Sequence, residues 1–144
     1  KRGLIVLAGA LLTFGFCDQI SNIVKHAVGR IRPLHDEFML ANGLNVLENG
    51  GGYSFFSAHA ANSFGLAFST FVGMKRCLSN GSSMMPKWLK AYGGWMFFWA
   101  TMVAVSRIFV GKHYLGDVVV GIIIGSLAGY AFARLSAYIA GKIR

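Results

Sequence analysis

Charge is scarce in this chain. Of 144 residues only 13% are charged, and just five are acids, against 55% hydrophobic residues and a mean hydropathy of +0.55. An ordinary soluble domain carries about a quarter charged residues, so a soluble all-α core is disfavoured: it would not leave so little polar surface. The two cysteines, Cys17 and Cys77, fall at different depths of the apolar pattern and have no Cys-x-x-Cys partner. That excludes a disulfide framework and a thiolate metal site, and both read as packing residues. Four histidines and five acids without metal-ligand spacing give no metal centre. Strand-type alternation, internal repeats and low-complexity tracts are also missing, leaving one helical domain over residues 1–144. No cleavable leader is visible, because the first apolar block is too long and lacks a small-residue cleavage site.

What is present is long apolar runs, at Gly3–Val24, Ser57–Met74, Leu89–Val105 and Val118–Ala133. A spanning helix needs about 20 mostly apolar residues. The first block qualifies alone and the others with their flanks, so the chain is expected to be an all-α transmembrane bundle of four spans. The net charge of +9 invites a nucleic-acid reading. Its placement argues otherwise. If the blocks alternate across a bilayer, one side collects Lys1, Arg2, Lys75, Arg76, Lys87, Lys90, Arg134, Lys142 and Arg144 and no acid. That is the positive-inside signature, putting both termini and the 75–90 loop in the cytoplasm. The other side holds Lys25, Arg30, Arg32, Arg107 and Lys112 with the acids. Partners are then membrane lipids rather than nucleic acid.

The first span is expected to continue helically to Ile31 and stop at Pro33. Segment 34–56, with Asp36, Glu37, Asn45, Glu48 and Gly50-Gly51-Gly52, reads as an outer loop with a short helix over Glu37 to Leu47. The triple glycine reads as a connector rather than a phosphate cradle. A polar link, 75–87, joins the second and third spans, and Val110 to Tyr114 joins the third to the fourth. The ends of spans one and three and the starts of two and four then share the outer face.

Three clusters sit on those ends. Lys25 and Arg32-Pro33 are two helical turns apart and can share a face, although snorkelling cations at a span end explain them equally well. Ser57-Ala58-His59 opens the second span, where free N–H groups bind anions; a plain N-cap with a buried histidine is the bland alternative. Ser106-Arg107, five residues, His113, three residues and Asp117 form the third. An imidazole oriented by a carboxylate beside a guanidinium fork suits nucleophilic phosphoryl transfer, and a surface salt bridge is its alternative. All three together outweigh the bland readings.

In this order and on these helix ends, the clusters resemble the type 2 phosphatidic acid phosphatase family, whose superfamily includes vanadium haloperoxidases. The first and third motifs match in full. The second, usually Pro-Ser-Gly-His, here reads Phe56-Ser57-Ala58-His59. Family members commonly have six spans, leaving two alternatives: a compact variant, or the last four spans of a longer protein.

The resemblance implies a bacterial inner-membrane lipid phosphatase with its site on the periplasmic face. His113 is the nucleophile, Asp117 accepts its other ring proton, and His59 is acid and then base. Lys25, Arg32, Ser57, Ala58 and Arg107 hold the phosphate, with no cofactor and no metal. Polyprenyl diphosphate, phosphatidylglycerol phosphate, phosphatidic acid and a lipid A phosphate all fit as substrates. A lipid-to-lipid phosphotransferase using the same site, and a non-catalytic lipid-phosphate binder or transporter, are the competing functions. Haloperoxidase chemistry is disfavoured in so apolar a chain. His26 and His35 belong to no motif and read as surface or interface residues, Arg30 and Lys112 as steering or solvated charges. Asp18, expected to be buried in the first span, has no assigned role.

Overall fold

The structure, a computed structural model, describes residues 1–44, 46–47, 50–78 and 85–143. Asn45, Glu48 and Asn49 of the outer loop, residues 79–84 of the polar link and Arg144 lie outside the described residues. Four long helices dominate: α1 Arg2–Val28, α3 Ala58–Leu78, α4 Lys87–Phe109 and α5 Leu115–Lys142; a 3-10 turn at Pro33–His35 and a short α2, Glu37–Ala41, lie between α1 and α3. No strand occurs among the described residues.

The apolar blocks did become the helices, but two ends differ from expectation. Gly29, not Pro33, ends α1: it takes the left-handed conformation (φ 64°), and its N–H donates to the Lys25 carbonyl. Arg32 therefore lies beyond the helix, and Lys25 and Arg32 do not share a helical face. The outer-loop helix stops at Ala41, well before Leu47, because Asn42 and Gly43 (φ 91°) turn the chain. Asp36 caps it by accepting from the Phe38 N–H at 3.0 Å.

Helix α3 is the centre of the bundle, packing on α5, α1 and α4, whereas the backbones of α1 and α4 stay apart. The α3–α5 approach is set by Gly121, Gly125 and Gly129, one per turn of α5. A methyl at Gly121 would lie 2.6 Å from the Ser57 carbonyl oxygen, and one at Gly125 would overlap the Ala61 carbonyl oxygen. Small residues at a four-residue spacing let backbones approach closely in an apolar medium, where helix association draws on packing rather than hydrophobic burial. At the far end, Val6, Cys77 and Ala140 join α1, α3 and α5, and Arg2 Nη1 donates to the Cys77 carbonyl at 3.4 Å. Both cysteines are buried, as expected of packing residues.

Two stretches, one starting at Arg2 and the other Leu115–Lys142, are long and apolar enough to cross a membrane, and their most apolar windows are only 28% and 33% buried. A soluble protein's core helix would be mostly buried. Leu4, Leu11, Phe98, Phe109 and Leu127 likewise point outward. This is the surface of a membrane protein. The expected count of four spans is met in length by α3 (21 residues) and α4 (23 residues) but not in composition. In α3 the strongly polar His59, Asn62, Lys75 and Arg76 lower the mean hydropathy. The hydroxyls of Ser63, Ser69 and Thr70 each donate to a carbonyl three or four residues back (3.2, 3.3 and 2.6 Å) and so expose no unmet donor.

Candidate active site

The antiparallel run of helices brings the end of α1, the start of α3, the end of α4 and the start of α5 to one end of the bundle. His113 sits between α4 and α5, 4% exposed. Gly111 (φ 70°) makes the turn that brings it there, and the Lys112 and His113 N–H groups donate back to the Arg107 carbonyl at 3.2 and 3.3 Å. His113 Nδ1 lies 2.8 Å from the Ser54 carbonyl oxygen. A carbonyl can only accept, so Nδ1 carries the proton and Nε2 keeps its lone pair.

That is a correction to the expected role of Asp117. Its Oδ2 is 3.9 Å from His113 Nδ1, too far for a direct hydrogen bond. The carboxylate, fully buried, is occupied elsewhere: it accepts from Arg30 Nη1 at 2.8 Å, from the Tyr114 N–H at 3.0 Å and from the Ser54 hydroxyl. Asp117 holds Ser54, and Ser54 holds the imidazole. Spacing alone could not show this, because four residues on a helix predicts contact only if both residues are helical, and His113 precedes α5. Arg30, expected to be a solvated or steering charge, is instead the counter-ion of Asp117, stacked over the Tyr114 ring at 4.3 Å. The Tyr114 hydroxyl donates to Asp36 at 2.5 Å.

Ser54 is the residue that sequence reasoning missed. It is fully buried, its N–H donates to the Arg30 carbonyl at 2.8 Å, and its carbonyl and hydroxyl serve His113 and Asp117. No motif marks a serine after a run of glycines. Ser57 is the N-cap of α3, its hydroxyl accepting from the Ala60 N–H at 3.4 Å, while its own N–H donates to the Asp117 carbonyl at 3.0 Å. Ala58 is the first residue of α3, with His59 next to it.

The cations gather around these groups. His59 lies within electrostatic range of Arg107, Lys25, Lys112 and Arg32, and His113 within range of Lys25 and Arg32. The two histidines thus share two positive charges. Arg107 is braced by Ser106, whose hydroxyl oxygen accepts from its Nε (3.1 Å) and Nη2 (3.0 Å) and itself donates to the Val103 carbonyl. Arg32 Nε is buried without a partner, and burial lowers the basicity of this guanidinium. A partly desolvated cation with no counter-ion among the described residues favours an incoming anion. Gly50 packs between Arg32 and Lys112: a methyl there would stand 3.1 Å from Arg32 Nη1 and 3.3 Å from Lys112 Cε. The triple glycine thus borders the cationic cluster. His35 donates to the Gly50 carbonyl at 2.8 Å, and His26 packs edge-on against Tyr53.

Burial, with Lys25 and Arg32 adding to it, pulls the His113 pKa down to about 4, against the opposing pull of Ser54 and Asp117. The imidazole is therefore neutral at neutral pH, as a nucleophile must be. The sign follows from linkage: between about pH 6.5 and 4 the unfolded chain takes up a proton that the folded chain refuses, so this residue erodes stability as pH falls through that window. NMR titration of the imidazole in micelles should place its midpoint near 4, and Arg32→Gln should move it upward. A midpoint at the ordinary histidine value would contradict the arrangement.

Comparison with known proteins meets this geometry. The family model described as PAP2 superfamily matches residues 3–140. The chain belongs to the PAP2 superfamily. It is 36% identical over 135 residues to a lipid A 4'-phosphatase of Bacteroides thetaiotaomicron, covering 92% of this chain and 54% of that protein. A lipid A 1-phosphatase of Rhizobium johnstonii is 31% identical over 135 residues, covering 88% of this chain and 48% of the relative. The chain thus spans about half the length of these curated relatives. The crystal structure of a transmembrane PAP2-type phosphatidylglycerolphosphate phosphatase from Bacillus subtilis superposes with a TM-score of 0.66 at 24% identity, over 94% of this chain and 59% of that one. That likeness establishes the fold.

Proposed function

We propose that this chain carries the catalytic core of an integral-membrane lipid phosphatase acting through a phosphohistidine. The observation that carries it is His113, with Nδ1–H tied to Ser54 so that Nε2 keeps its lone pair, within electrostatic range of Arg32, whose buried Nε has no partner. Nε2 attacks phosphorus as the bond to the lipid oxygen breaks, and the departing oxygen takes a proton from His59. His59, now neutral, accepts a proton from the water that attacks the phosphohistidine, and inorganic phosphate leaves. Lys25, Arg32, Arg107 and the N–H groups at the start of α3, with the Ser57 hydroxyl, hold the three equatorial oxygens. Asp117 and Arg30 position the nucleophile through Ser54.

In this reading all four long helices span the inner membrane, with basic ends in the cytoplasm and the site at the periplasmic headgroup level. The named relatives act on lipid A, which favours a phosphate monoester on a lipid as substrate. The test is phosphate release from a panel of lipid phosphates by the full-length protein and its His113→Ala variant, with EDTA present. Chelation-resistant activity that vanishes in the variant is expected. Turnover that survives loss of His113, or that stops with EDTA, would overturn the mechanism.

Arg30 gives a narrower check. Because it touches Asp117 rather than the phosphate cluster, Arg30→Met should lower kcat about tenfold or more with little change in KM, as one charge-assisted hydrogen bond is lost. A raised KM at unchanged kcat would place Arg30 on the substrate instead.

A further inference from the structure

Directly behind His59 a cavity of about 330 Å³ opens between α1 and α4, floored by α3 and lined among others by Phe14, Asp18, Asn62, Leu66 and Trp99. Its size falls in the range of small-molecule sites, about 300–1,000 Å³. It exists because the backbones of α1 and α4 stay apart. Its chemistry is unusual for a hydrocarbon surface. Asp18 is exposed in the middle of an apolar helix rather than buried as expected from the sequence, and Trp99 is 39% exposed.

We infer that this cavity is a subsite for the leaving group, and that it takes a hydroxyl-bearing ring such as a sugar rather than an acyl or polyprenyl chain. The inference rests on the phosphatase reading above and deepens it. Three arguments converge. Asp18 lies seven residues before Lys25, about 10 Å deeper along α1, so the cavity extends from His59 in the cationic layer down to the depth of Asp18. A carboxylate would repel phosphate, so its presence marks where phosphate is not. Against a hydrocarbon chain the exposed Asp18 carboxylate would stay unsatisfied, at a cost an apolar ligand cannot offset. Hydroxyl donors satisfy it, and the apolar face of a sugar ring fits against the Trp99 indole. A carboxylate beside an aromatic face selects a polyol.

The test compares two lipids in the same detergent, lipid A and dimyristoyl phosphatidic acid, with full-length wild type, Asp18→Asn and Trp99→Leu. The reading is the ratio of kcat/KM between the two substrates. A charge-assisted hydrogen bond supports about ten- to hundredfold discrimination. Asp18→Asn, which keeps the side chain's shape, should therefore lower the ratio by about tenfold or more, and Trp99→Leu should shift it the same way. A ratio unmoved in both variants, whether both rates fall together or neither changes, overturns the subsite. Wild type that releases phosphate from neither lipid would instead sink the phosphatase reading, so the two failures are distinguishable.

Discussion

His113→Ala in the full-length protein should lower lipid phosphate turnover by about ten-thousandfold or more, the loss seen when a covalent nucleophile is removed from a preorganised site. The size of the effect follows from the division of labour. The cations and the α3 N-terminus would still bind the phosphate, so KM should change little while kcat collapses. His113→Gln makes the case sharper: its amide can still donate to the Ser54 carbonyl but offers no nucleophilic nitrogen, and it should be as inactive as alanine. Single-turnover measurements with radiolabelled lipid phosphate, quenched in base, should trap a phosphorylated wild-type chain and none in either variant. Label retained by the His113 variants would assign the nucleophile elsewhere.

The second large effect lies away from the chemistry. Gly125→Val should prevent assembly or lower the thermal midpoint in detergent steeply, because a side chain there meets the Ala61 backbone, whose carbonyl carbon would stand 2.7 Å from the new methyl. Overpacking a core usually costs about 1–3 kcal/mol, and this case belongs at or above the upper end, since backbone cannot rotate away as a side chain can. Gly141→Ala on the same helix meets nothing within 4 Å. It should leave the midpoint unchanged or raise it slightly, by about 0.4–1 kcal/mol. If both substitutions behaved alike, the α3–α5 contact would not be the close backbone approach described. Activity should track the fold, because the Ser57 N–H bonded to the Asp117 carbonyl bridges that same contact.

The helices were legible because an apolar block longer than about 20 residues has few alternatives. Of the expected site residues Lys25, His59, Arg107 and Asp117 lie on the helix ends, while Arg32 and His113 lie in the links beside them. Whether they perform the chemistry is for the experiments above. The local wiring was less legible. Gly29 ended α1 early because a left-handed residue stops a helix as firmly as a proline does. The glycines at 121, 125 and 129 carried a readable four-residue spacing, which could have marked the α3–α5 contact in advance.

By itself the amino-acid order determined that the chain is helical and lipid-compatible, with its cationic residues at helix ends, since those are properties of runs and periods along one dimension. Which group holds the His113 ring, where Arg30 finds its counter-ion and where a cavity stands open beside Asp18 were decided only by the tertiary structure. Ser54 and Arg30 lie 59 and 87 residues from the groups they bond. Partners so far apart in the chain become neighbours through helix packing and loop closure, and no local pattern records them.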